Sequence, residues 1–148
     1  MKFKSISHRG NIKGPNQRYE NHPSYIVEAL KEGFDVEIDV WLIENKLYLG
    51  HDMPEHLVDL SFLKNDKFWC HCKNIEALQF LMKNNVRCFF HNTDDATLTS
   101  DGYIWTYPGK YLTENSICVM PERANWQIKS CVAGVCSDFI LGIEDYIV

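Results

Sequence analysis

The stretch FDVEIDVWL, residues 34–42, decides the fold because acidic side chains interrupt what otherwise reads as a buried β-strand. Alternation along a strand divides the side chains between two faces, with Phe34, Val36, Ile38, Val40 and Leu42 on one and Asp35, Glu37, Asp39 and Trp41 on the other. The apolar face predicts packing against a core. The carboxylates leave two interpretations open: they are solvated on a half-exposed antiparallel strand, or they belong to a functional site.

The composition predicts a single globular domain over residues 1–148. Of the 148 residues 45% are hydrophobic and 13% aromatic, which is enough for a substantial core. A net charge of -5 without a Lys/Arg-rich run argues against a nucleic-acid partner and favours a small-molecule ligand. The sequence has no apolar run near the roughly 20 residues of a membrane span, and its start, MKFKSISHRG, reads as a strand. We therefore expect a cytoplasmic protein.

The six cysteines are expected to be reduced thiols, because a chain of this size builds a core without disulfides. The motif WCHCK brings Cys70, His71 and Cys72 together as in a metal site. Strand alternation, however, places both cysteines on the face opposite His71, and the chain has no CxxC pair. The pattern favours two core thiols over a zinc site.

Eight segments have the character of strands, at about residues 3–8, 34–41, 46–50, 67–72, 86–91, 103–107, 117–120 and 132–137. A turn at 44–46 predicts that the third segment pairs back on the second as a hairpin. Helical patterns separate other segments, and such alternation predicts a parallel sheet with crossovers, arranged as a doubly wound sheet or a barrel.

Two of these helical patterns carry start and stop signals. The first has Asn21 as its expected N-cap and Gly33 as its stop, and the second has Asn74 as its N-cap. The expected core-facing residues are Ile26, Ala29 and Leu30 in the first helix, and Ile75, Leu78, Leu81 and Met82 in the second.

The segments ISHRG (6–10) and ENHPSYIVEALKEGFDVEIDVWLIENKLYLGHD (20–52) contain five short motifs in a fixed order: HRG, EN, E-x-D, a hairpin and HD. This order and spacing resemble the N-terminal signature of the glycerophosphodiester phosphodiesterase family, which is related to phosphatidylinositol-specific phospholipase C and sphingomyelinase D. The resemblance implies an α/β fold of the TIM-barrel type. Because a full barrel needs about 250 residues, we expect a reduced or incomplete one.

The resemblance also implies roles for individual residues. His8 and His51 match the general acid/base pair, Arg9 and Lys73 match phosphate-binding residues, and Glu37 and Asp39 match two metal ligands. His71 stands where the family has a third carboxylate, and is either a metal ligand or a hydrogen-bond donor to a phosphate oxygen. The residues with open roles are Glu20 of the EN motif, His91 at a strand end, and Trp105, Tyr107 and Glu122, which line the cavity or pack it.

These residue types suit the cleavage of a phosphodiester, whose negative oxygens repel a nucleophile and whose leaving alkoxide needs a proton. A divalent metal ion, Mg²⁺, Ca²⁺ or Mn²⁺, together with Arg9 and Lys73 would offset the charge. Two histidines would divide the proton transfers. The sequence thus predicts a metal-dependent phosphodiesterase acting on a small glycerophosphodiester-like substrate. The alternative is a non-catalytic phosphate- and metal-binding module on a degenerate barrel.

Overall fold

The computed structural model describes residues 2–148 and contains ten strands. They are β1 Lys4–His8, β2 Asp35–Ile43, β3 Lys46–Leu49, β4 His56–Val58, β5 Phe68–Cys72, β6 Cys88–Phe90, β7 Ala96–Leu98, β8 Ile104–Thr106, β9 Ser116–Val119 and β10 Gly134–Ser137. All eight predicted strands are present. The additional strands, β4 and β7, have three residues each and were not predicted.

All ten strands belong to one mixed sheet, which confirms the α/β prediction. Seven of them run parallel in the order β6-β5-β2-β1-β10-β9-β8. Strands β3 and β4 extend β2 as an antiparallel meander, and β7 pairs antiparallel with β8. The predicted hairpin is confirmed: Glu44 and Asn45 join β2 to β3 with φ of 48° and 64°, the left-handed pair of a two-residue turn.

The sheet curls until its two parallel edges meet, but its hydrogen-bond ladder is not closed. Phe89 of β6 stacks on Trp105 of β8 with ring centroids 4.7 Å apart. At the same seam, the Thr97 hydroxyl of β7 donates to the Phe90 carbonyl oxygen over 2.9 Å. A ring stack and isolated hydrogen bonds therefore join β6 to the β7–β8 hairpin without a continuous strand ladder.

All three α-helices precede β6 in the chain. They are α1 Pro23–Lys31, α2 Leu60–Leu63 and α3 Ile75–Lys83, followed by 3-10 turns at Pro121–Arg123 and Ile143–Tyr146. From β8 to β10 the connections lack α-helices, and the crossover to β9 consists of residues 107–115. These short connections allow a chain of 148 residues to form seven parallel strands. Among residues 2–148, no helix has both the length and the apolar character of a membrane span.

The helix boundaries match the prediction with one correction. Asn74 caps α3 by accepting a hydrogen bond from the Ala77 amide over 3.1 Å, as predicted. The prediction of Asn21 as the cap of α1 is wrong, because the Asn21 side chain is bound to Asp39 instead. His22 is the N-cap, and its Nδ1 accepts from the Ser24 amide.

The core-facing side of α3 agrees with the prediction at two positions and differs at two. Leu81 is buried and Leu78 packs against the core, as predicted, whereas Ile75 and Met82 are 58% and 51% exposed and Ala77 is buried instead. A nine-residue helix is too short for its apolar residues to define one stripe, so contact with the sheet decides which side is covered.

The apolar residues form an interior cluster and two outer clusters. The interior cluster consists of Ile6, Trp69, Phe89, Trp105, Ile117, Val119, Met120, Ala133 and Cys136. Cys70 and Cys72 lie in one of the outer clusters, which also contains the buried residues of α1 and α3. All six cysteines are free thiols, as predicted. The chain places His71 on the opposite face from both thiols, which agrees with the rejection of the WCHCK zinc site.

A polar layer lies above the interior cluster, towards the C-terminal ends of the parallel strands. Side chains two positions apart along a strand point to the same face of the sheet. The pairs of interior apolar residue and following polar residue are Ile6 and His8, Trp69 and His71, Phe89 and His91, Trp105 and Tyr107, and Cys136 and Asp138. The sheet therefore gathers side chains from distant parts of the sequence at one end of its interior.

Candidate metal and phosphate site

The two carboxylates of β2 lie inside the protein. Glu37 is 2% exposed and Asp39 is fully buried. The solvated-strand interpretation is therefore wrong, because β2 is not an edge strand: β1 and β5 flank it on both sides. A central strand of a parallel sheet has both faces covered, so the face carrying the carboxylates is enclosed as well.

Strand register brings His71 to these carboxylates. Asp39 and His71 are direct partners in the β2–β5 ladder. His71 Nδ1 lies 3.3 Å from Asp39 Oδ1 and 3.9 Å from Glu37 Oε1. The imidazole is also stacked on the Phe89 ring, with centroids 5.0 Å apart, which fixes its plane.

Glu37, Asp39 and His71 suit a divalent cation. One possible ligand atom from each lies within 4.8 Å of the other two. Ligands about 2.1 Å from one ion are at most about 4.2 Å apart, so small side-chain adjustments suffice. Within residues 2–148, only four buried side-chain polar atoms lack a hydrogen-bond partner: Arg9 Nε, Glu37 Oε2, Asp39 Oδ1 and the Tyr107 hydroxyl. Two are carboxylate oxygens of this group, and buried oxygens without a hydrogen-bond partner suit the coordination of a cation.

Arg9 and Lys73 place positive charge beside the carboxylates. Arg9 Nε lies 3.0 Å from Asp39 Oδ2, in a geometry that does not make a hydrogen bond, and Lys73 Nζ lies 3.9 Å from Asp39 Oδ1. Arg9 Nη1 donates to Glu20 Oε1 over 3.1 Å. Glu20 thus orients the guanidinium at the mouth of the site, the open cleft that leads to the carboxylates.

Asn21 is a site residue that the sequence did not assign. Its Nδ2 donates to Asp39 Oδ2 over 2.8 Å, and its Oδ1 accepts from the Asp39 amide over 2.9 Å. This two-point contact leaves Asp39 Oδ1 facing His71. The signal was present in the EN motif, where Asn21 also has the left-handed φ of 64° that asparagine tolerates better than most residues.

The two buried carboxyl groups have opposite pKa shifts. Burial, together with the charge of Asp39, raises the pKa of Glu37 well above 4.5. Burial alone would raise the pKa of Asp39 too, but His71, Arg9 and Asn21 lower it. These shifts favour the ionised form of Asp39 and the protonated form of Glu37. A bound cation would favour the ionised form of both groups.

His8 stands on the other side of Glu37, its register partner in β1–β2. His8 Nδ1 lies 2.6 Å from Asp138 Oδ1, and His8 Nε2 lies 3.8 Å from Glu37 Oε2. Although burial alone would raise the pKa of Asp138, the hydrogen bond with His8 and the contact with Asn11 lower it. An ionised Asp138 accepts the Nδ1 proton and leaves Nε2 directed at the cluster.

Asp138 is the second site residue that the sequence did not assign, although its segment, GVCSDF, contains the end of a predicted strand. Asn11 Nδ2 also donates to Asp138 Oδ1, over 2.9 Å. Glu122 accepts from the Asp138 amide and from the Ser137 hydroxyl, each over 2.9 Å. Glu122 therefore holds the end of β10 in place instead of lining the site.

His51 is the predicted site residue that stands apart. Its side chain is 43% exposed, and its Nδ1 lies 2.8 Å from Asp52 Oδ1. It lines a cleft of about 410 Å³ whose wall also includes Arg9, Glu20 and Asn21. His51 thus faces the mouth of the site without contacting the carboxylates.

His91 lies at the β6–β8 seam. Its carbonyl oxygen is 3.4 Å from His71 Nε2, and its ring stacks on Tyr107 with centroids 3.6 Å apart. The structure therefore places it in the polar layer, as a neighbour of His71.

Comparison of the chain with protein-family models, with curated proteins and with solved structures gives no match. The functional argument therefore rests on the residues and their geometry.

Proposed function

We propose that the protein is a metal-dependent phosphodiesterase that cleaves a small glycerophosphodiester-like substrate. One observation carries this proposal: an imidazole oriented by a carboxylate points into a buried cation site. His8 is held by Asp138 at 2.6 Å, and its free nitrogen lies 3.8 Å from Glu37. A site that only bound a cation would have no use for a proton-transfer group in this position.

The fold proposed for this enzyme is an incomplete TIM-type barrel of the phospholipase C-like kind. Two features support it: seven parallel strands curl around an apolar interior, and the polar layer lies at their C-terminal ends. Active sites of TIM barrels lie at that end.

Glu37, Asp39 and His71 would hold the cation, Mg²⁺, Ca²⁺ or Mn²⁺. When bound, it would supply positive charge to the phosphate oxygens. Arg9 and Lys73 bind the same phosphate from the site mouth. The interior below is filled by aromatic rings such as Trp69 and Trp105, so the substrate reaches the site from the strand ends.

His8 and His51 divide the proton transfers. A neutral His8 with its proton on Nδ1 uses Nε2 to take the proton of the attacking hydroxyl. His51, exposed and paired with Asp52, is placed to give a proton to the leaving alcohol. A substrate hydroxyl next to the phosphate would act as the nucleophile, giving a cyclic phosphate that water can open.

A second function, a phosphate- and metal-binding module, is favoured by the exposure of His51 and its distance from the cluster. The two proposals differ in one measurable property, turnover. Binding alone requires Arg9, Lys73 and the metal ligands but neither His8 nor His51.

A substrate screen tests the proposal. Purified protein is incubated with glycerophosphodiesters and lysophospholipids in the presence of Mg²⁺, Ca²⁺ or Mn²⁺, and the released alcohol is measured. We expect turnover of at least one diester that stops on chelation of the metal. Cation and phosphate binding without turnover of any diester would favour the binding module.

Replacement of His71 tests its assignment as a ligand. An imidazole beside two carboxylates suits Mn²⁺ better than Mg²⁺. We expect wild-type protein to prefer Mn²⁺, and His71→Glu to shift the preference towards Mg²⁺ or Ca²⁺, about tenfold in relative affinity. Calorimetric titration with each cation measures the shift. An unchanged order of metals, with phosphate binding weakened under every metal, would assign His71 to the phosphate instead.

A further inference from the structure

The Tyr107 hydroxyl is the one buried polar atom without a partner that the metal and phosphate assignments do not explain. It is shielded from water and has no hydrogen-bond partner in good geometry, and the neighbouring Trp105 indole can only donate to it. A buried hydroxyl without a partner is costly, so such groups in folded proteins call for an explanation. The other three such atoms within residues 2–148 belong to Arg9, Glu37 and Asp39.

Tyr107 is positioned to reach the same site. It follows β8 and is two residues beyond Trp105, so strand geometry directs it into the polar layer above the interior cluster. Its ring stacks on His91 at 3.6 Å, and the His91 carbonyl contacts His71. The curl of the sheet therefore places Tyr107 across the interior from His8 on β1.

The hydroxyl is available as a donor. Burial, together with the negative charge of Glu37 and Asp39, raises the pKa of Tyr107, so the phenol stays protonated at neutral pH. The neighbouring Trp105 indole has only an N–H donor, which gives the phenol proton no acceptor. An oxygen of a bound ligand could serve as the acceptor.

We propose that Tyr107 is a phosphate-binding residue, whose hydroxyl donates a hydrogen bond to an oxygen of the phosphate held at the Glu37–Asp39–His71 cluster. Arg9 and Lys73 then bind the phosphate from the site mouth and Tyr107 binds it from the β6–β8 seam. The inference rests on the proposed function for the presence of a phosphate. It adds a phosphate contact from the end of β8, a strand that does not pair with β1, β2 or β5.

Tyr107→Phe tests this contact because it removes the hydroxyl and retains the ring that stacks on His91. We expect the Kd for inorganic phosphate in the presence of Mn²⁺ to rise about tenfold or more, as for the loss of a hydrogen bond to a charged acceptor. The Kd for Mn²⁺ itself should not change. Both constants are measured by calorimetry, and Tyr111→Phe, on the exposed loop after Tyr107, is the matched control.

The melting temperature of the ligand-free protein provides an independent measurement. If the hydroxyl has no partner in the free protein, Tyr107→Phe should melt at the same temperature or a few degrees higher. A lower melting temperature with unchanged phosphate affinity would assign the hydroxyl to the fold and overturn the inference.

The remaining outcomes are also distinct. Equal phosphate affinity of Tyr107→Phe and wild type overturns the Tyr107 contact and leaves the phosphodiesterase proposal standing. Loss of Mn²⁺ affinity together with phosphate affinity means that the whole site is disturbed, which also counts against a specific contact. Wild-type protein that binds neither Mn²⁺ nor phosphate overturns both proposals.

Discussion

His8→Ala is expected to lower turnover of the diester found by the substrate screen by about a hundred- to ten-thousand-fold, the usual loss for one general acid/base. The reason is that Asp138 binds His8 Nδ1 and thereby directs His8 Nε2 towards Glu37 in the proposed cation site. Steady-state kinetics at saturating metal measure the loss. His51→Ala should cause a loss in the same range if His51 serves the leaving group.

His56→Ala is the matched control, because His56 lies on β4 and its ring packs against His22 away from the carboxylates. Its turnover should remain within about twofold of wild type, as expected for a substitution outside the site. Metal and phosphate binding by His8→Ala should persist, since His8 is not among the proposed ligands. Near-wild-type turnover by His8→Ala would refute the two-histidine mechanism.

Glu37→Gln is expected to abolish cation binding and to stabilise the cation-free protein at neutral and higher pH. The pKa of Glu37 is raised in the folded state, so the folded protein holds a proton that the unfolded chain releases above about pH 4.5. Stability is therefore lost as pH rises through the folded-state pKa. The amide side chain introduced by Glu37→Gln does not titrate, so this pH-dependent loss disappears in the variant.

Thermal melts with and without cation measure both effects. At pH 8 and without cation, Glu37→Gln should melt roughly 3 °C or more above wild type. Addition of Mn²⁺ should raise the melting temperature of wild type, because a ligand at a hundred times its Kd adds about 2.7 kcal/mol to the free energy of unfolding. The melting temperature of the variant should not change. Glu114→Gln, on the exposed loop before β9, is the control and should behave as wild type. Equal cation responses of Glu37→Gln and wild type would remove Glu37 from the site.

The sequence by itself predicted eight of the ten strands and singled out most residues of the candidate site. Residues 34–42 predicted a strand because alternation is a local property of the backbone, and the hairpin and the Asn74 cap followed from local turn and cap preferences. The family resemblance of the HRG, E-x-D and HD motifs singled out His8, Glu37, Asp39 and His51, and each motif is short enough to be read from the sequence alone.

The tertiary structure decided the burial and the neighbours of these residues. Alternation cannot tell a central strand from an edge strand, so only pairing with β1 and β5 excluded solvated carboxylates. Asn21 was misassigned as a cap because its actual partner, Asp39, lies 18 residues later in the sequence, beyond α1. Asp138 and Tyr107 lie 130 and 99 residues after His8 along the chain. Their place in the site follows from the register of a curled parallel sheet, which no local pattern in the sequence specifies.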